Sequence, residues 1–315
     1  MFKSADMSLW SGRDDGNGKE RWHQYIAPLK KSAPEGIALL GIASDEGVKR
    51  NHGRVGAVAG PDTIRTYLAN LAYRQNVPLY DAGNLSCEHG DLETLQRKQA
   101  DKVCQLLEQN HFPLIIGGGH EIAYGSFVGL EKYLSHNQKS DPIGIINLDA
   151  HFDLRHADQA TSGTPFLQIA NHCQQQDISF NYLCLGVSDI ANTEALFTTA
   201  RQLNVQYLRD EELNSWQLEK INQQLKEFIH PCQAIYLSID LDVLPAATAP
   251  GVSAPAARGV PQEVLEWLLI SIKQISGKRL MLADIAEYNP EYDIDGLTAR
   301  IAARLCHLII RNEKL

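Results

Sequence analysis

Ile143-Gly144-Ile145-Ile146-Asn147-Leu148-Asp149-Ala150-His151-Phe152-Asp153 is the stretch on which the reading of the fold turns. Its first six residues form a short, largely apolar run, the pattern of a strand buried on both faces. Its last five end that strand with three ligand-type side chains at i, i+2 and i+4. In extended backbone such residues point to one side, so Asp149, His151 and Asp153 can face a common centre.

Outward from this strand the same alternation recurs. Ile37 to Ile42, Phe112 to Ile116, Tyr182 to Val187, Ala234 to Leu241 and Leu280 to Asp284 read as further short strands. Between them, Pro61–Ala72 carries Ile64, Leu68 and Leu71 at helical spacing, and Leu92–Glu108 carries Leu92, Leu95, Val103 and Leu106. Pro261–Ile275 and Gly296–Ile310 are helical patterns as well. Strands alternating with helices imply an α/β fold whose parallel sheet is covered on both faces. Residues 1–35 are polar and Gly/Asp-rich from Ser11 to Gly18, and read as an N-terminal arm. Residues 36–315 read as a single domain, without repeats or an internal linker.

The 315 residues are 44% hydrophobic, enough for a sizeable core. A net charge of −9 with a pI near 5.7 argues against a nucleic-acid or anionic-membrane surface. No apolar run approaches the roughly 18 residues of a membrane span. Met1-Phe2-Lys3-Ser4-Ala5-Asp6 lacks the apolar segment of a signal peptide. Cys87, Cys104, Cys173, Cys184, Cys232 and Cys306 show no CxxC spacing and read as free thiols of a cytoplasmic protein.

Three predicted strand ends carry ligand-type residues. They are Gly117-Gly118-Gly119-His120, Asp149-Ala150-His151-Phe152-Asp153 and Asp240-Leu241-Asp242. Parallel sheets bind ligands beyond the carboxyl ends of their strands. One DxD at a strand end is ordinary loop chemistry; three such ends in one chain are a constellation. Four converging carboxylates would repel and take up protons unless cations answered them. Two divalent ions supply the balancing charge. Oxygen and imidazole donors without thiolate favour Mn2+ over a structural zinc site. Six ligands for two ions require sharing, so two aspartates should bridge.

GGGHE (117–121), DAHFD (149–153) and SIDLDVLPAATAPG (238–251) resemble the three signatures of the arginase/agmatinase/formimidoylglutamase superfamily. The resemblance covers nearly all of the chain from about residue 35 and implies a three-layer α/β/α domain. It also implies His120 and Asp153 on one Mn2+, His151 and Asp242 on the other, and Asp149 and Asp240 bridging. It makes the chain a hydrolase in which a metal-bridging hydroxide attacks an amidine carbon, with Asp153 shuttling the proton. Glu287, in Asp284-Ile285-Ala286-Glu287, matches the carboxylate that holds the guanidinium or amidine, for which two parallel N–H bonds suit a carboxylate.

Departures narrow the substrate. Leu244-Pro245 stands where arginases and agmatinases usually have Asp-Pro. Thr161-Ser162-Gly163-Thr164-Pro165-Phe166 lacks the loop histidine of those enzymes, and the motif does not align nearby His156. Asp149–Arg155, Ala249–Gly259 and the Asn51–Ala57 segment resemble the formimidoylglutamase branch, as do Trp10–Asp15 and Arg21–Gln24. That branch implies hydrolysis of N-formimidoyl-L-glutamate to L-glutamate and formamide in histidine degradation. Arg54 and Arg155 are candidates for its two carboxylates, since arginine binds a carboxylate bidentately. The competing expectations are a guanidino hydrolase releasing urea, and an inactive metal-binding or assembly subunit. The resemblance also suggests a homo-oligomer.

Overall fold

A computed structural model describes residues 1–16, 18–137 and 142–311; the last four residues of the expected domain lie outside them. In chain order the elements are β1 (Phe2–Lys3), α1 (Trp22–Tyr25), β2 (Ala27–Pro28), β3 (Ile37–Ala43), α2 (Glu46–Arg50), α3 (Gly60–Ala69) and β4 (Leu79–Ser86). Then come α4 (Leu92–Glu108), β5 (Phe112–Gly117), α5 (Ile122–His136), β6 (Ile143–Leu148), α6 (Pro165–Gln176), β7 (Asn181–Val187) and α7 (Glu194–Gln202). The chain closes with β8 (Gln206–Arg209), α8 (Leu218–Ile229), β9 (Ala234–Asp240), α9 (Gln262–Ser276), β10 (Leu280–Ala286) and α10 (Leu297–Ile310).

The strands form one sheet in the order β1-β4-β3-β5-β10-β9-β6-β7-β8, with β2 also on β4. Every pairing is parallel except the antiparallel β1–β4 edge. Pleating sorts each strand's side chains between two cores. In β3, Ile37 and Leu39 join one cluster with α3, α8, α9 and α10. Ala38, Leu40 and Ile42 join the other, with α4, α5, α6 and α7. Two helical layers around a mostly parallel sheet are the three-layer α/β/α architecture.

The sequence reading missed β4. Its Leu79-Tyr80-Asp81-Ala82-Gly83-Asn84 looks too polar for a buried strand. Asp81 is nonetheless fully buried because Arg65 of α3 and the Trp10 indole donate to it, at 2.8 to 3.0 Å. A buried charge is tolerable when paired and hydrogen-bonded. Helices α5 to α8 and the short strand β8 likewise go beyond the elements that the sequence pattern predicts.

Candidate metal centre

The site stands on four neighbouring strands, β5, β10, β9 and β6, whose carboxyl ends open on one side. After β5 the chain turns through Gly118 and Gly119. A Cβ on Gly118 would lie 1.6 Å from the Ser44 carbonyl oxygen, so only glycine lets the two backbones meet there. Gly118 and Gly119 donate to the carbonyls of Ile42 and Ser44, which aims His120 over the sheet. Beyond β10, Glu287 adopts φ 70° and donates its N–H to Gly118 O at 2.7 Å.

His120 Nδ1 lies 3.1 Å from Asp149 Oδ2, 2.9 Å from Asp153 Oδ2 and 3.2 Å from Asp240 Oδ2. His151 Nδ1 lies 3.0 Å from Asp242 Oδ2 and 3.6 Å from Asp149 Oδ1. The six residues thus come together as two adjoining groups, His120–Asp149–Asp153–Asp240 and Asp149–His151–Asp242. Asp149 belongs to both groups, whereas Asp240 groups with the first alone.

One step of the sequence argument needs correction. β6 ends at Leu148, and Asp149 to Asp153 do not continue it. Four extended residues would separate Asp149 from Asp153 by about 13 Å, too far for one ion. The chain turns instead, with Asp153 at φ 50° and the His151 N–H donating to Asp149 Oδ1 at 2.6 Å. Asp240 and Asp242 likewise meet through a tight turn, in which Asp242 N donates to Asp240 Oδ1 at 2.8 Å.

Ser238 Oγ donates to Asp284 Oδ1 at 2.6 Å, so it accepts from His120 Nε2 at 2.9 Å. That bond puts a proton on Nε2, so Nδ1, the atom facing the carboxylates, is the nitrogen left either to take up a proton or to meet a cation. Nδ1 is buried with no hydrogen-bond partner. Four aspartates around two imidazole nitrogens suit two divalent cations, and the donor set fits them.

Burial opposes charge on His120, yet Asp149, Asp153 and Asp240 hold its pKa well above the ordinary range. Burial likewise opposes charge on His151, and Asp242 and Asp149 override it. Burial and the charges of Asp242 and Asp149 push Asp240 well up, and burial with Asp149 raises Asp153 to about 6. Burial raises Glu287 to about 7, against the hydrogen bonds from Ser253 and His120 N. Protein cations do not neutralise this cluster, so protons must do so until metal ions take their place.

Glu287 is 2% exposed. Its Oε1 accepts from His120 N at 2.8 Å and its Oε2 from Ser253 Oγ. With His120, His151, Asp153, Asp240 and Asp242 it lines a cavity of about 100 Å3. Arg155, Asn51, Ser162, Ser253 and Ala254 complete the walls. Arg155 is exposed and also lines an adjoining cavity of about 340 Å3 that contains His156. Arg54 does not line the site cavity; it is exposed, its guanidinium 5.0 Å from the Tyr292 ring centre. Neither arginine forms a salt bridge among the described residues. The sequence reading gave Asn51, Ser162 and Ser253 no role of their own, although each sits in a motif quoted above. Cys184 is fully buried under the site, in keeping with a small core residue.

Among known proteins, the chain is 51% identical to formimidoylglutamase of Chromobacterium violaceum, an alignment covering 98% of this chain and 99% of that one. It is 50% identical to formimidoylglutamase of Aeromonas hydrophila, with the same coverage. Its fold matches formimidoylglutamase from Bacillus subtilis with a TM-score of 0.81 at 24% identity, over 95% of this chain and 93% of that chain. Arginase from Bacillus subtilis matches with a TM-score of 0.76 at 23% identity, over 89% and 100%. The model of the arginase family matches residues 35–310. The chain therefore belongs to the arginase family.

Proposed function

We propose that this chain hydrolyses N-formimidoyl-L-glutamate to L-glutamate and formamide, as a step of histidine degradation, with two Mn2+ ions per subunit. What carries the reading is a buried carboxylate, Glu287, beside a cluster of four aspartates and two histidines, with a free arginine at the cavity wall. His120, Asp149, Asp153 and Asp240 would hold one ion; His151, Asp242 and the shared Asp149 would hold the other. When bound, such ions lower the pKa of water so that hydroxide is available near neutral pH.

The chain's own residues supply the rest. Glu287, buried at the cavity wall, binds the amidinium through charge-assisted hydrogen bonds. Water adds its oxygen to the amidine carbon, which becomes the carbon of formamide. The bond from that carbon to the glutamate nitrogen breaks, and this nitrogen must gain a proton to leave as an amine. Asp153 takes the hydroxyl proton of the adduct and delivers it there. Arg155 pairs with the nearer substrate carboxylate. Arg54, on the 51–56 loop whose carbonyls Asn289 holds at 2.9 and 3.0 Å, takes the farther one.

The relatives' names support the choice of substrate, and so does the serine in the loop where guanidino hydrolases usually carry histidine. Turnover of formimidoylglutamate, arginine and agmatine by the Mn2+-loaded protein tests it. We expect activity on the first alone; activity only on a guanidino compound would overturn the substrate while leaving the site. No helix among the described residues is long and apolar enough to cross a membrane. A cytoplasmic homo-oligomer without nucleic-acid partners completes the reading. Ile190 and Trp216, 85% and 81% exposed, are apolar side chains that a subunit contact would cover. Sedimentation of the purified protein checks this, and a monomer would refute it.

A further inference from the structure

On the face of the sheet covered by α4 and α5, the two helices run side by side in register. Gln99 of α4 donates to Ile122 O and Ser126 Oγ of α5, at 2.8 and 2.9 Å. Gly129 of α5 has no room for a side chain against Val103 and Ala100 of α4. This close approach carries through to the last turns of both helices, where Cys104 and Glu108 of α4 meet His136 of α5.

Cys104 Sγ lies 3.6 Å from Glu108 Oε1 and 3.9 Å from His136 Nδ1, and the latter two atoms are 3.0 Å apart. Three different metal-ligand types thus point at one another. A tetrahedral zinc ion has bonds of about 2.3 Å to sulfur and about 2.0 to 2.1 Å to nitrogen and oxygen, which sets its ligand atoms about 3.3 to 3.6 Å apart. Small side-chain shifts would seat such an ion. Cys104 is buried, whereas the side chains of Glu108 and His136 are 47% and 51% exposed, so the fourth position faces water.

We propose that Cys104, Glu108 and His136 form a second metal site, separate from the main cluster and selective for a zinc-class ion, which clamps the C-terminal turns of α4 and α5. The ion replaces the thiol proton, which leaves to solvent; thiolate and carboxylate then balance its two positive charges. A thiolate and imidazole pair selects Zn2+ over Mn2+, so the two sites divide the metals by donor type. In the metal-free chain the same three side chains are held by the thiol-to-Glu108 bond and the Glu108–His136 pair.

Co2+ serves as the spectroscopic probe, because sulfur-to-cobalt charge transfer appears only where a thiolate is a ligand. The main cluster has none. The full-length protein is loaded with Mn2+ and then titrated with Co2+. We expect a near-ultraviolet charge-transfer band that saturates at the intensity of one thiolate site per chain and is displaced by Zn2+. Cys104→Ser should abolish the band, and His136→Ala, a surface change, should weaken cobalt binding about 10-fold or more. Absence of the band in the unaltered protein overturns the proposal. So does its survival in Cys104→Ser, or unchanged affinity in His136→Ala.

Discussion

Asp153 faces two demands that pull on its charge in opposite directions. On the proposed mechanism it is ionised to hold a cation beside His120, and it accepts a proton when the amidine adduct collapses. Without metal, its burial and the neighbouring Asp149 charge push it to about 6, and a bound cation would draw it back down. Asp153→Asn keeps an oxygen donor but cannot shuttle a proton. We expect kcat on formimidoylglutamate to fall by about 100-fold or more, with metal content measured in parallel. Full turnover at unchanged metal content would remove Asp153 from the mechanism. Ser238 acts at one remove, by accepting a hydrogen bond from His120 Nε2–H and donating its own hydroxyl to Asp284 Oδ1. Tyr236 donates to the same aspartate at 2.5 Å, so the chain of donors ends on a well-held acceptor. Ser238→Ala leaves the His120 N–H unpaired in the core and frees the ring to take its other tautomer. Metal affinity should drop about 10- to 100-fold by competition titration, with the fold intact by circular dichroism. Unchanged affinity would mean that packing alone orients the ring.

At the scale of elements, Glu121 opens α5 and ties the β5 turn to the start of α2. Its Oε1 accepts from Ser44 Oγ at 2.9 Å and Gly47 N at 3.1 Å, while its Oε2 is buried with no partner. Burial, and then the Glu287 charge, raise it to about 8, far above the 4.5 of an unfolded glutamate. Between those values the folded state holds a proton that the unfolded state has released. Stability therefore falls as pH rises through this window, and the proton's contribution is complete below about 4.5. Glutamine mimics the protonated acid. Metal-free Glu121→Gln should gain on the order of 1 kcal/mol or more over the original at pH 8, and little near pH 4.5, in urea unfolding. Equal effects at both pH values would refute the protonated form. None of this was legible in GGGHE, where Glu121 reads as one more motif letter, because burial of its second oxygen depends on glycines at 47 and 119. The strands ending in ligands were legible, since parallel strands buried on both faces announce themselves by apolar runs. The 149–153 turn was not, because ligand spacing of two fits a strand and a turn equally well. β4 was hidden for a different reason: its polar residues are satisfied by Arg65 and Trp10, partners 16 or more residues away in sequence.

The whole molecule raises the question of what the first 35 residues are for. Their polar composition reads as an arm, yet they reach from the edge of the sheet to the last helix. Phe2–Lys3 and Ala27–Pro28 both pair with β4. Trp22 is 1% exposed, stacked on Trp10 with ring centres 6.5 Å apart and edge-on to Tyr73 at 5.7 Å. Its indole N–H donates to His307 Nδ1 of α10 at 3.2 Å, which requires that nitrogen to be unprotonated. Burial, and then the cations Arg311, Lys273 and Arg304, lower the His307 pKa and keep it so. Two sparse aromatic residues in a polar segment thus do the work of a core strand, which a periodicity argument cannot see. Trp22→Ala should cost about 3 to 5 kcal/mol, the usual range for deleting a buried tryptophan ring. The readout is the urea midpoint at unchanged m-value. The kcat per folded molecule should hold, because Trp22 belongs to the core beneath α3 and α10 and the cavity wall draws nothing from it. Retention of the original midpoint would show that residues 1–35 hang on the domain without helping to hold it together.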